Sequence, residues 1–136
     1  MKNTIFKLLE YLYYFSLVIL FILYLFPGSL IGYFLYDNLA KQPDLISNPI
    51  GTSINHLISF ICLSSLAFSW RVRKKKFINS VPFLLLISIL LEILHYFIPN
   101  RAFEYFDMLG NLIGVTFTYF LIQLILKLKI KYYENI

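Results

Sequence analysis

Leu90–Gly114, LLEILHYFIPNRAFEYFDMLGNLIG, joins two apolar runs through a turn crowded with polar side chains. Pro99-Asn100 ends the first run, because proline cannot continue a helix and disfavours helical backbone in the residue before it. Helical spacing resumes with Asp107, Asn111, Gly114 and Thr118, which fall four, three and four residues apart and so share one stripe. Glu92 and His95, three apart, lie on one face shortly before the turn. The stretch therefore reads as helix, turn, helix, with its ionisable groups gathered at one end.

The rest of the chain agrees with an all-α membrane bundle. It has 136 residues, of which 60% are hydrophobic and only 14% charged, far from the mix of a soluble domain. That length suits a single domain over residues 1–136 and leaves no room for a separate soluble catalytic domain. Four stretches read as transmembrane helices: Leu8 to Phe26, Ser53 to Trp70, Ile78 to Ile98 and Met108 to Leu126, each near the ~20 residues that cross a ~30 Å hydrocarbon core. The N-terminus imitates a signal peptide, but Glu10 interrupts its start and no small-x-small cleavage site follows, so it is expected to remain as the first helix. After Pro27-Gly28, the residues Leu30, Ile31, Phe34 and Leu35 recur at helical spacing ahead of the polar Lys41 to Asn48 stretch. A short helix lying at the membrane interface explains this, and a lid re-entering the membrane is the alternative for residues 28–50. Cys62 is the only cysteine, which excludes an intrachain disulfide.

The net charge of +5 reads as topology rather than as nucleic-acid binding, since no basic stripe with interleaved aromatics occurs. Lys2 and Lys7 precede helix one, Arg71, Arg73, Lys74, Lys75 and Lys76 separate helices two and three, and Lys127, Lys129 and Lys131 follow helix four. That leaves Lys41 and Arg101 for the other side, which predicts a multi-pass protein with both termini cytoplasmic and the 90–114 turn outside. The basic loop is a topology anchor that can also touch anionic headgroups. Acidic residues divide the opposite way, with Asp37, Asp44, Glu92, Glu104 and Asp107 outside and Glu10 and Glu134 inside.

An ionisable group at membrane depth is costly and usually faces a bundle interior, a cavity or a partner. Glu92 fits that description best, with His95 as its partner and His56, at the outer start of helix two, closing a pocket if its face turns inward. Plainer roles remain open: Asp107 capping helix four, Arg101 pairing with Glu104, and Gly110-x-x-x-Gly114 letting two helices approach closely. Glu-x-x-His with a remote His56 and Asp107 also supplies N and O donors for a metal, although a single such pair is half of the usual di-iron arrangement. No cofactor is implied.

Glu92-x-x-His95-x-x-Ile98-Pro99-Asn100-Arg101, then Asp107-x-x-x-Asn111-x-x-Gly114, with His56 upstream, resembles the signature of the VanZ-like family. These are small bacterial membrane proteins named for a teicoplanin-resistance determinant. The likeness covers roughly His56 to Thr118. It departs where the family carries Gln in place of His95, an Asp-Lys pair in place of Thr52-Ser53, and Gly in place of Thr118. The resemblance implies a multi-pass fold in a bacterial cytoplasmic membrane and a cell-envelope setting. The leading expectation is a non-catalytic outward pocket of His56, Glu92, His95, Arg101, Asp107 and Asn111 that takes an envelope lipid, a glycan precursor or an amphiphilic glycopeptide antibiotic. Alternatives are an intramembrane enzyme acting on a lipid-linked substrate with Glu92 and His95 as acid–base pair, and a metal- or proton-binding accessory subunit. Enclosing a transport path with four helices would require a homo-oligomer or a partner.

Overall fold

The computed structural model describes the backbone of residues 2–43, 51–72 and 74–134, and the side chains of all of these except 2, 3, 52 and 131–134. Asp44 and the 44–50 part of the connection, Arg73, and the side chains of Lys2, Thr52, Lys131 and Glu134 lie outside the described residues. Five α-helices follow in order: α1 (Lys2–Leu25), α2 (Leu30–Tyr36), α3 (Gly51–Arg71), α4 (Val81–Leu94) and α5 (Tyr105–Glu134). Short 3-10 turns at Phe77–Asn79 and His95–Phe97 flank α4, and no strand occurs among the described residues.

Among the described residues three helices are long and apolar enough to cross a membrane, over Thr4–Leu25, Ser53–Arg71 and Tyr105–Ile130. The expected third span, Ile78 to Ile98, is shorter than predicted. Its α-helix has 14 residues. Local chemistry sets both ends: the Ser80 side chain accepts a hydrogen bond from the Phe83 amide, with proline inside the first turn, and the chain tightens into a 3-10 turn at His95 before Pro99. α1 and α5 are longer than predicted, since an existing helix extends by one backbone hydrogen bond per added residue whether that residue is polar or apolar.

α3 and α5 run side by side in the same direction. A Cβ on Gly110 would stand 2.6 Å from the Ser53 carbonyl oxygen, and one on Gly114 would stand 2.8 Å from that of Leu57. The glycines are therefore what permits the contact. α1 and α4 run the opposite way and complete a core of Tyr13, Phe60, Leu63, Trp70, Leu84, Leu91 and Val115. Large apolar side chains such as Ile22, Phe97 and Phe120 point outward.

α2 turns its glycine inward. A Cβ on Gly32 would overlap the Lys41 carbonyl oxygen at 1.7 Å, while Phe34 and Leu35 stay exposed. The backbone holds this turn together through Ser29 N–H donating to the Leu39 carbonyl at 2.7 Å. At the opposite end of the bundle the Tyr13 hydroxyl donates to the Ile78 carbonyl. Lys76 there pairs with Glu10 at 3.3 Å and lies over the Trp70 ring.

Candidate functional site

The C-terminal ends of α1 and α4 and the N-terminal ends of α3 and α5 meet at one end of the bundle. His56, Glu92, His95, Asp107 and Asn111 are all buried there, and Glu92 and Asn111 are fully enclosed. The predicted residues therefore come together, and their hydrogen bonds fix how.

The Asn111 amide nitrogen donates to the Ser88 carbonyl at 3.4 Å, which turns Asn111 Oδ1 toward Tyr24. The Tyr24 hydroxyl donates to that oxygen at 2.9 Å. Having given its proton there, Tyr24 can only accept from His56 Nδ1, 3.0 Å away. His56 Nε2 then faces Asp107 Oδ2 at 3.3 Å, and a proton must lie between them. Asp107 Oδ1 accepts from the Ser53 hydroxyl at 2.6 Å.

The same accounting applies to the second pair. His95 Nε2 lies 3.1 Å from the Tyr24 backbone carbonyl, which can only accept, so this nitrogen carries hydrogen. Nδ1 faces Glu92 Oε1 at 3.2 Å, an oxygen that also accepts from the Glu104 amide at 3.0 Å. A proton must lie between His95 and Glu92 as well. Each imidazole–carboxylate pair is neutral as a unit, which is how a cluster of four ionisable groups is tolerated inside an apolar bundle. One oxygen is left over. Glu92 Oε2 is buried without a hydrogen-bond partner among the described residues and lies 3.6 Å from His56 Nδ1.

Arg101 does not pair with Glu104 among the described residues. Its guanidinium donates to the Leu23 carbonyl at 2.6 Å and the Phe26 carbonyl at 3.4 Å. The cause lies in the sequence: the helical partner of the Leu23 carbonyl would be the amide of residue 27, which is proline and has no N–H. Arg101 supplies the missing donor, and His95 serves the Tyr24 carbonyl, whose helical partner would be the amide of Gly28, a residue turned out of the helix at φ +86°. Burial pulls the Arg101 pKa down, against the opposing pull of Tyr24, Glu92 and Asp107, yet a guanidinium remains charged. Glu104, outside the helix, has its pKa pushed up by partial burial and then by the nearby Asp107 and Glu92.

Asp107 stands in the first turn of α5, and its carboxylate is drawn to Ser53 and His56. The carboxylate beside His56 Nε2 thus comes from α5. Thr118 bonds back to the Gly114 carbonyl at 2.8 Å, away from the cluster. Among the described residues no group of three or more His, Cys, Asp or Glu side chains is placed to hold a metal ion. For His56, Glu92, His95 and Asp107 the reason is visible: their facing edges bond in pairs and do not converge on one point.

A cavity of about 90 Å³ opens beside the cluster, between the end of α1, the start of α2 and the start of α3. His56, Arg101, Asn55, Ser59 and Ser29 supply its polar wall, and Leu23, Leu30 and Ile31 its apolar one. Asn55 donates to the Pro43 carbonyl at 2.6 Å, while its Oδ1 is buried with no partner among the described residues. Sequence reasoning missed Tyr24, Ser53, Asn55 and Ser88. Only proline four residues after Leu23 signalled that α1 needs donors from elsewhere.

Fold and site together define an all-helical chain with membrane-length apolar helices and a buried carboxylate–histidine cluster beside a cavity. No protein-family profile, curated protein or solved structure matches it.

Proposed function

We propose that the chain is a VanZ-like protein of the bacterial cytoplasmic membrane. Its cavity beside His56 and Arg101 would bind the polar part of an envelope lipid, a glycan precursor or an amphiphilic glycopeptide antibiotic. The observation that carries this reading is the cavity itself: one wall is polar and continuous with a buried charged cluster, the other is apolar and lies next to exposed apolar residues such as Ile22, Leu25 and Ile31. Such a division suits an amphiphile. In this reading α4 with its 3-10 turn forms the fourth span, since 14 α-helical residues and one such turn together reach about 27 Å. α2, with Phe34 and Leu35 exposed, lies at the interface. The division of Lys and Arg supports cytoplasmic termini.

The geometry favours binding over catalysis. An acid–base pair of Glu92 and His95 would have to reach substrate, but both His95 nitrogens are engaged within the protein. The binding test is thermal stability of the purified protein in nanodiscs, with teicoplanin or a polyprenyl-linked sugar added. A rise in melting temperature in wild type that disappears in Ser59→Phe, which fills the cavity, is the expected result. An equal rise in both proteins would remove the cavity from consideration. Turnover of the polyprenyl-linked sugar, abolished by Glu92→Gln, would replace this reading with the enzymatic one. Impermeant labelling of Glu104→Cys in a Cys62→Ser background, from outside intact cells, tests the orientation.

A further inference from the structure

A second cleft lies at the other end of the bundle, where α3 ends, α4 begins and α5 passes. It encloses about 130 Å³, room for about four waters at ~30 Å³ each. Arg71, Lys75, Gln123 and Tyr119 bring its polar groups, and Phe68, Val72, Val81, Ile122 and Leu126 its apolar walls. His56 and Arg71 are fifteen positions apart in one helix, so the two cavities are separated by about 22 Å.

The cations at this end are not equivalent. Lys76 is committed to Glu10 and to the faces of Tyr14 and Trp70. Arg71 is half committed: Nη1 donates to the Lys76 carbonyl at 2.9 Å and to Asn79 Oδ1 at 3.2 Å, which fixes the guanidinium plane. Its Nε and Nη2 donate to nothing among the described residues, and Lys75 has no partner among them either. Asn79 is itself fully buried and held by the Lys74 carbonyl and the Lys76 amide, so the mount is rigid. Two cations with unspent donors thus line one cleft, and among the described residues no acidic side chain does. α4 begins at Val81, which lines the cleft, and a helix N-terminus carries a partial positive charge.

We propose that this cleft binds the phosphate of an anionic phospholipid, with Arg71 and Lys75 on the phosphate oxygens and an acyl chain along Val72, Ile122 and Leu126. Arg71 is the last residue of an apolar span, so it stands at the depth where headgroup phosphates lie. A free phosphate satisfies the cations and leaves the apolar walls uncovered, whereas a phospholipid covers both. This proposal does not depend on the outer pocket or on which leaflet the loop faces.

The test is competitive lipid binding to the full chain in detergent, read by native mass spectrometry with phosphatidylglycerol against phosphatidylcholine. Wild type should retain phosphatidylglycerol at least about fivefold better. Lys75→Gln should lose most of that preference, and Lys74→Gln, which removes the same charge from a residue not lining the cleft, should keep it. Gln123→Trp should abolish the preference by filling the cleft with every charge intact. Equal losses in Lys74→Gln and Lys75→Gln, or an unchanged preference in Gln123→Trp, would overturn the site in favour of diffuse attraction. Thermal protection by inorganic phosphate alone that matches the lipid would overturn the lipid assignment.

Discussion

Replacing Tyr24 with phenylalanine removes one oxygen and both of its hydrogen bonds, to Asn111 Oδ1 and from His56 Nδ1. The two losses differ in size. His56 can turn its Nδ1 hydrogen toward Glu92 Oε2, 3.6 Å away and without a partner among the described residues, so its share sits near the ~0.6 kcal/mol average for side-chain bonds in membrane bundles. Asn111 is fully buried and has no such alternative, and an orphaned buried acceptor costs about 1–3 kcal/mol. The expected total is about 2 kcal/mol, most of it belonging to Asn111. In an Asn111→Leu background the orphan no longer exists, and Tyr24→Phe should then cost less than about 0.7 kcal/mol, a coupling of more than about 1 kcal/mol. Unfolding of the four proteins in mixed micelles, titrated with sodium dodecyl sulfate, measures the cycle. Equal costs of Tyr24→Phe in both backgrounds would show that Tyr24 and Asn111 are not bonded and would undo the proton accounting that starts from them.

Gly114→Val should destabilise the bundle by at least about 2 kcal/mol in the same assay, because the added carbons must displace the Leu57 carbonyl and Phe60. Arg101→Gln should cost about 2 kcal/mol, the value of charged bonds to buried carbonyls, and Arg101→Lys about half, since an ammonium cannot reproduce the fork; parallel micelle titrations compare them. Glu104 has a raised folded-state pKa, so the native state binds more protons than the unfolded one above the ordinary carboxylate range, and stability falls as pH rises through that window. Glu104→Gln should therefore be slightly more stable than wild type at neutral pH, with the difference vanishing in acid. Melting temperatures across that pH range test the sign.

Much of the site could be read from spacing. Glu92 and His95 at three residues, and Asp107 and Asn111 at four, place each pair on one face whatever the tertiary fold. His56 joined them because a histidine near the start of α3 stands level with the end of α4 and the start of α5. Tyr24 could not be found this way. α1 is apolar on every side, and Tyr11, Tyr13 and Tyr24 look alike in sequence, although Tyr11 is exposed and Tyr13 wholly buried. The partners of Arg101 were equally hidden, since they are backbone carbonyls and any residue has one. Helix ends failed where a single side chain set them: Ser80 at the start of α4 moved its boundary inward from Ile78.

Pro27 leaves the end of α1 short of donors, and the groups that make up the shortage come from much later in the chain. Arg101 is 78 residues from Leu23 and His95 is 71 from Tyr24. During synthesis α1 therefore emerges with its last turn unfinished and must wait until nearly the whole chain has been made. A chain that stops after α3 therefore has the Leu23 and Tyr24 carbonyls without their side-chain donors and His56 without Asp107, although Tyr24 still stands beside His56.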